Sequence, residues 1–166
     1  MENNQLFDQL FSFNKTVFRI CLGFTKNPGD ARDLTQEVYI KAYKKLKFLK
    51  DHERKKEWLF MIARNTCIDY VRKKRLQYVP IDNCYGLKSE DNPESQEELK
   101  QQIKNVKKII QKLPVKQREV FVLKEYANLS YKEITEVLNI KMGTVMSRLN
   151  RAKKFLLKEV RSTINE

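Results

Sequence analysis

Residues 130–154 read SYKEITEVLNIKMGTVMSRLNRAKK. Ser130 is followed three residues later by Glu133, which is the S/T-x-x-E capping box that begins a helix. Asn139 ends the apolar run of this helix, and asparagine tolerates the left-handed conformation found at helix ends. A second helix is predicted from about Met142 onward. Two short helices separated by a turn of this length predict a helix-turn-helix.

The second of these helices has an apolar stripe formed by Val145, Leu149, Ala152, Leu156 and Val160. In a helix-turn-helix, the N-terminal half of this helix meets base edges in the major groove. Arginine can bind guanine through two donors, asparagine can bind adenine, and lysines further along contact phosphate. The side chains facing away from the stripe or flanking it are Met146, Ser147, Arg148, Asn150, Arg151 and Lys154. The alternative is an ordinary helical hairpin with a solvated basic face.

The charge of the whole chain favours a polyanionic partner. Its 166 residues include 34 Lys and Arg but 21 Asp and Glu, a formal net charge of +13. Residues 1–78 carry a net charge of +8 and residues 100–166 a net charge of +10. Nucleic acid is the first partner to consider, because neutralised phosphates supply affinity. A merely solubilising surface and an anionic membrane surface are the alternatives.

Between the two basic blocks lies an acidic one, since residues 79–99 carry a net charge of −5. This block also contains Pro80, Gly86 and Pro93, which is typical of a linker. We therefore predict an all-α protein with two small helical domains joined by a flexible acidic linker, the C-terminal domain containing the helix-turn-helix. The predicted divisions are a domain at 1–78, a linker at 79–98 and a domain at 99–166.

Apolar residues at helical spacing predict three helices in the first domain, at about residues 6–25, 28–49 and 56–77. Two more are predicted ahead of the helix-turn-helix, at about 99–113 and 115–127. The Asn27-Pro28 pair is typical of a helix start, because proline is favoured at the first helical position. The charged residues 48–56 are predicted to form a loop.

Two faces of the first domain suggest contacts beyond it. The polar side of the second helix carries Asp33, Gln36 and Glu37, with the apolar Ile40 near its centre. Ile40 is either a single exposed apolar residue or part of a protein-contact face. On the third helix, an arc of roughly 140° holds Arg64, Asn65, Ile68, Asp69, Arg72 and Arg75. The run 72–75, RKKR, exceeds what helix capping needs and favours phosphate contact.

Several function classes find no support in the sequence. No stretch approaches the roughly 20 apolar residues of a membrane span, and no secretory signal is visible. Three cysteines without a CxxC pair argue against a disulfide scaffold or a zinc site and fit a reducing cytoplasm. We expect the cysteines to be core residues. We predict no catalytic residue, metal ligand or cofactor, because phosphate-binding glycine loops and activated nucleophiles are missing from the pattern.

Three segments resemble one family. Residues 30–42 (DARDLTQEVYIKA) are similar to the polymerase-binding region of bacterial sigma factors, and residues 58–71 (WLFMIARNTCIDYV) to the adjoining promoter-reading helix. Residues 113–155 resemble the C-terminal sigma domain, with REV, SYKEI and GTVxSRLxRAK in order. The resemblance covers nearly the whole chain and points to the two-domain extracytoplasmic-function (ECF) group. A helix-turn-helix alone has little specificity, whereas the three segments together are highly specific.

The resemblance implies a role for each face. Matching positions imply binding to core RNA polymerase by Asp33, Leu34, Gln36, Glu37 and Ile40. They imply binding of the minus-ten promoter element by the 56–77 helix, through Arg64, Asn65, Asp69, Arg72, Lys73 and Arg75. A loop pocket within 48–56 would capture an unstacked base. They imply binding of the minus-thirty-five element by Thr144, Met146, Ser147, Arg148, Asn150, Arg151 and Lys154.

The family also implies control by an anti-sigma factor, which is often membrane-anchored, although nothing in this sequence shows such a partner. We expect a cytoplasmic protein without direct membrane insertion, acting as a sigma factor and not as an enzyme. The competing hypothesis is a stand-alone helix-turn-helix regulator that binds duplex DNA as a dimer. A DNA-processing enzyme is the third, and the sequence offers it neither nucleophile nor metal ligands.

Overall fold

The computed structural model describes residues 2–25, 27–77 and 94–164. These residues form eight α-helices, and none of them lies in a strand. The helices are α1 (Glu2–Phe11), α2 (Asn14–Phe24), α3 (Pro28–Lys45), α4 (Lys55–Gln77), α5 (Glu94–Lys112), α6 (Val115–Phe121), α7 (Tyr131–Leu138) and α8 (Met142–Ile164). The all-α prediction is confirmed, with α1–α4 in one domain and α5–α8 in the other.

The ends of α7 confirm the signals of the helix-turn-helix. The Ser130 hydroxyl accepts a hydrogen bond from the Glu133 amide at 3.2 Å, and the Ser130 amide donates to the Glu133 carboxylate at 2.7 Å. Asn139 then adopts φ 51° and ψ 51°, the left-handed conformation. This turn brings the chain into α8 at Met142, as predicted. The reciprocal cap satisfies amides that a helix start otherwise leaves unpaired.

The segment predicted as one helix over 6–25 is two helices with a break between them. The Ser12 hydroxyl donates to the carbonyl of Gln9 at 2.6 Å, and the Phe13 amide donates to Leu10 at 3.1 Å. A serine hydroxyl that bonds a nearby carbonyl competes with the regular helix. The break places the Phe13 ring edge-on to Phe60, with centroids 5.9 Å apart. Packing against α4 therefore overrides the continuous helical pattern.

Two of the three cysteines are core residues, as predicted. Cys21 on α2 and Cys67 on α4 are fully buried, and their sulfurs lie 3.8 Å apart. The hydrogen bond that Cys67 donates to Cys21, together with burial, raises the pKa of the Cys67 thiol. Cys84 lies outside the described residues. Both described cysteines are thus small apolar groups that join α2 to α4.

The C-terminal domain differs from the sequence prediction at two places. Helix α5 begins at Glu94, so its first turn lies inside the predicted linker 79–98, while residues 79–93 fall outside the described ranges. The predicted helix 115–127 is α-helical only to Phe121 and continues as a π-helical turn, Val122–Tyr126. A π turn is an irregularity that apolar periodicity does not report.

The two domains pack directly against each other. One continuous apolar core includes Leu10, Val17 and Phe60 of the first domain and Val122 and Ile134 of the second. The charge pattern predicted two domains joined by a tether, and the structure adds that the two domains are in contact. The contact is close: a Cβ added to Gly23 of α2 would lie 2.6 Å from a methyl of Val122. Across the same boundary, the Gln111 amide donates to the carbonyls of Gly23 (3.2 Å) and Thr25 (3.3 Å) at the end of α2.

Candidate nucleic-acid interface

Helix α8 presents the predicted recognition face to solvent. Its buried stripe contains Val145, Leu149 and Ala152, which hold the helix against the domain core. Of the residues predicted to bind the minus-thirty-five element, the exposed ones are Met146, Ser147, Asn150, Arg151 and Lys154. Thr144 is half-buried, and its carbonyl accepts a hydrogen bond from the Ser147 hydroxyl at 3.2 Å. These exposed residues provide hydrogen-bond donors, the amide of Asn150 and the thioether of Met146 within three turns of α8.

Arg148 is placed differently from the rest of this set. Its guanidinium lies 3.2 Å from the carboxylate of Glu119 on α6 and is mostly shielded from solvent. Glu119 is itself buried, with 3% of its side chain exposed. The pair ties α8 to α6, so Arg148 holds the recognition helix in position within its domain.

The same carboxylate binds an arginine of the other domain. Arg64 of α4 donates to Glu119 Oε2 through Nε at 2.9 Å and through Nη2 at 2.6 Å. Its remaining amino group donates to Asn65 at 2.8 Å. Glu119 therefore engages one arginine predicted to contact the minus-ten element and one predicted to contact the minus-thirty-five element. Charge-assisted bonds of this kind are the strong ones among protein hydrogen bonds.

The other predicted minus-ten residues lie along α4 and are accessible. Asn65, Arg72, Lys73 and Arg75 are exposed, and Asp69 is half-buried. Arg72 pairs with Asp69 at 2.9 Å, an exposed contact that DNA could readily exchange. The face thus carries exposed cations toward its C-terminal end, and Arg64, which is held by Glu119, toward its middle.

A cavity of about 310 Å³ opens between α3 and α4 beside this face. Asn65 and Asp69 line it together with Trp58, and two lysines complete its rim. An indole can stack on a base, amide and carboxylate groups can bind its edge, and lysines suit phosphate. The cavity gathers residues from two helices, so sequence spacing within either helix does not reveal it.

The face predicted to bind polymerase is largely exposed on α3. Asp33, Gln36, Glu37 and Ile40 face solvent, and Ile40 has 55% of its surface accessible. Leu34 is 5% exposed and belongs to the core, so it supports this face from beneath. Glu37 also pairs with Lys41 one turn later at 2.6 Å. An exposed isoleucine among acids and amides is suited to a protein contact.

Two further ion pairs join the domains, and the sequence pattern does not predict them. Lys56 at the start of α4 lies 2.5 Å from Glu133, and Arg54 lies 3.4 Å from Glu136. The residues of each pair are about 80 positions apart in the chain. Helical periodicity predicts which face of a helix a residue lies on, but it does not predict which distant residue that face contacts. Burial opposes ionisation of Glu133, but the bonds from Lys56 and Ser130 outweigh it and hold the pKa of Glu133 below its ordinary value.

We expect the stability of the closed chain to fall in acid partly through Glu133. A carboxyl with a lowered pKa in the folded state stabilises above its unfolded pKa and loses that contribution as the pH falls through the folded pKa. The loss should therefore begin near the ordinary value of 4.5 and continue below it. Thermal unfolding followed from pH 7 to pH 3 checks this: Glu133→Gln should flatten the acid side of the curve. An unchanged acid slope in this variant would contradict the assignment.

Within the described residues, no group of three or more His, Cys, Asp or Glu side chains is arranged to hold a metal ion. None of the helices in the part of the chain that the structure describes is long and apolar enough to cross a bilayer. The fold and exposed faces define a helix-turn-helix protein of the DNA-binding class, with a second helical domain carrying a basic helix.

Comparison with known proteins places this fold in one family. Residues 12–77 match the family described as Sigma-70 region 2, and residues 103–156 match Sigma-70, region 4. The chain is similar to ECF RNA polymerase sigma factor SigW of Bacillus subtilis (strain 168), with 31% identity over 90% of this chain and 85% of SigW. It is also similar to SigM of the same organism, with 33% identity over 90% of this chain and 91% of SigM.

A solved structure shares the fold. CnrH in complex with the cytosolic domain of CnrY matches 94% of this chain and 88% of that one, with a TM-score of 0.69 and 23% identity. The chain belongs to the extracytoplasmic-function family of RNA polymerase sigma factors. It is an alternative sigma factor, a non-enzymatic protein of transcription initiation that acts with RNA polymerase at promoter DNA.

Proposed function

We propose that the two domains divide promoter recognition between them in the cytoplasm. In this proposal residues 1–78 bind core polymerase and the minus-ten element, residues 99–166 bind the minus-thirty-five element, and residues 79–98 connect the domains. The main support for the proposal is Ile40 on α3, which is exposed on the same face as Gln36 and Glu37. An apolar side chain at the centre of a polar face gains nothing in a monomer and is suited to contact with another protein.

The proposed DNA contacts follow from exposure and chemistry. On α8, Asn150 and Arg151 are exposed in the N-terminal half and suit base edges, with Thr144, Met146 and Ser147 beside them. Lys154 lies one turn further on and suits a phosphate. On α4, Asn65 and Asp69 line the cavity beside Trp58, where an unstacked base of the minus-ten element would bind. Arg72, Lys73 and Arg75 would neutralise adjacent phosphates.

We further propose that an anti-sigma factor controls this protein. The support is the solved complex of CnrH, which shares the fold, with the cytosolic domain of CnrY. A partner of that kind would cover the outward face of α3 and thereby keep the protein from polymerase. Anchoring of the partner to a membrane would let a signal outside the cell reach a protein that has no span of its own among its described residues.

One experiment tests the central proposal. The purified full chain is mixed with bacterial core RNA polymerase and double-stranded genomic DNA, and RNA 5′ ends are mapped. We expect new starts downstream of a shared pair of sequence elements, and only when both proteins are present. If core polymerase gains no new start and the chain binds duplex DNA alone as a dimer, the stand-alone regulator is the correct account.

With the promoter found in this way, contacts of α8 to bases can be distinguished from its contacts to phosphates. Arg151→Ala is expected to weaken promoter binding by about 1–3 kcal/mol and to relax the preference at one base position. Lys154→Ala should weaken binding to all DNA sequences alike and reduce the slope of log affinity against log salt concentration by about 0.9. Both are measured as binding of the holoenzyme to promoter duplexes at several salt concentrations. Equal effects of the two variants on specificity would contradict this division.

A further inference from the structure

The first two turns of α8 present an apolar surface to solvent. Met142 is 41% exposed and Met146 is 52% exposed. The two residues are four positions apart, so their side chains are neighbours on one face of the helix. Gly143 lies between them, and a Cβ added there would meet no atom within 4 Å. Met142 and Met146 therefore form one open apolar patch, the methionine pair.

Charged side chains border the methionine pair but do not lie within it. Among residues 142–148 the only charged residue is Arg148, and its guanidinium is engaged by a carboxylate of α6 at 3.2 Å. Lys141 comes before the pair, and Arg151 and Lys154 follow it, all three of them exposed. The major groove of DNA has its base edges between two rows of phosphates. An apolar patch bordered by cations is complementary to that surface, which favours DNA over a protein as its partner.

The chemistry of a thioether favours one base over the others. The C5-methyl group of thymine is the only methyl group that a base presents in the major groove, and the remaining groups there are hydrogen-bond donors and acceptors. A thioether has no donor and is a weak acceptor, so it would displace water from such groups without replacing their hydrogen bonds. Against a methyl group it buries apolar surface of both partners. The flexible side chain of methionine can also adjust to the exact position of the methyl group.

We propose that Met146 reads thymine in the minus-thirty-five element through contact with the 5-methyl group of the base, and that Met142 shields this contact from water. The inference rests on the proposed role of α8 and adds the chemical group that the helix recognises. Asn150 and Arg151 lie about one turn further along and would read neighbouring bases by hydrogen bonds. The helix thus combines apolar readout in its first two turns with polar readout after them.

The first measurement is a selection of duplexes from a random-sequence library by the full chain bound to core RNA polymerase. The wild type should enrich sequences with thymine at a fixed position, and Met146→Ala should accept any base there while retaining the other preferences. Leu157→Ala is the matched control. Leu157 is 58% exposed on the same side of α8, but it lies three turns, or about 16 Å, further along the helix. This variant should enrich the wild-type sequences.

The second measurement tests the methyl group itself. The most enriched duplex is prepared with deoxyuridine in place of each thymine in turn, which removes one methyl group and keeps every hydrogen-bonding group of the base pair. Wild-type affinity should fall about fourfold at the position that Met146 reads, the effect expected for one buried methyl group. Met146→Ala should bind thymine and deoxyuridine equally there. Met142→Ala should show a smaller difference than the wild type without losing it.

The possible failures can be told apart. If the wild type and Met146→Ala select the same sequences and respond alike to every deoxyuridine, Met146 does not read thymine and the inference is wrong. In that case α8 still binds the element through its polar side chains, and the methionine pair is left for a protein partner. If the wild type enriches no sequence at all, the proposed DNA-binding function of α8 is wrong as well.

Discussion

Replacing Glu119 with alanine is expected to lower the free energy of unfolding by about 3 kcal/mol. Glu119 is 3% exposed and accepts bonds from Arg64 at 2.6 and 2.9 Å and from Arg148 at 3.2 Å. Without it, two arginines from two helices face each other with no intervening anion. Breaking a buried pair typically costs about 3–5 kcal/mol, and the lower end applies because both guanidiniums are partly exposed and can turn toward water.

Urea unfolding of the full chain measures this loss. Glu119→Gln is the matched control, because an amide oxygen can still accept one bond although the charge is gone. It should lose clearly less stability than the alanine variant. Arg64→Ala and Arg148→Ala then divide the effect between the contact across the domains and the contact within the C-terminal domain. A Glu119→Ala variant within about 0.5 kcal/mol of the wild type would show that the network contributes little.

Ile40→Asp is expected to weaken binding to core RNA polymerase at least tenfold without destabilising the protein. Ile40 is 55% exposed, so an aspartate there has access to water and leaves the core intact. In a protein interface, however, the same charge would be desolvated without a partner, and a central apolar contact would be lost. A tenfold change corresponds to about 1.4 kcal/mol of binding free energy.

Leu157→Asp supplies the control for this prediction. Leu157 lies on α8 and is 58% exposed, so the change in side chain and in exposure is nearly the same. Binding of each labelled variant to core polymerase is measured by titration, and urea unfolding verifies that both variants are folded. Equal polymerase affinity for Ile40→Asp and the wild type would remove Ile40 from the polymerase face.

The predictions that held depend on short-range physics. Ser130 and Glu133 cap a helix because three residues span one helical turn, and Asn139 ends it because its side chain tolerates positive φ. The apolar spacing of Val145, Leu149 and Ala152 likewise fixes which side of α8 is buried. Such features can be read from a sequence because every group involved lies within a turn or two of its partner.

The predictions that failed involve competition between a local preference and a distant neighbour. The pattern over residues 6–25 is helical throughout, yet the chain breaks at Ser12 so that Phe13 can pack on Phe60. The 115–127 helix adopts a π turn where Val122 meets Gly23. In each case the deciding contact comes from a residue far along the chain, which periodicity cannot specify.

The local sequence therefore determined seven helical segments in outline, the first of which the structure divides into α1 and α2. It also determined the helix-turn-helix and the exposed faces of α3, α4 and α8. It also identified the family, because the motifs that indicate the family are short, continuous segments of sequence. The docking of the domains, the sharing of Glu119 by Arg64 and Arg148, and the approach of Gly23 to Val122 were settled by tertiary packing. The physical reason is that charge and apolarity define what a surface can bind, whereas steric fit between distant segments decides which surface it meets.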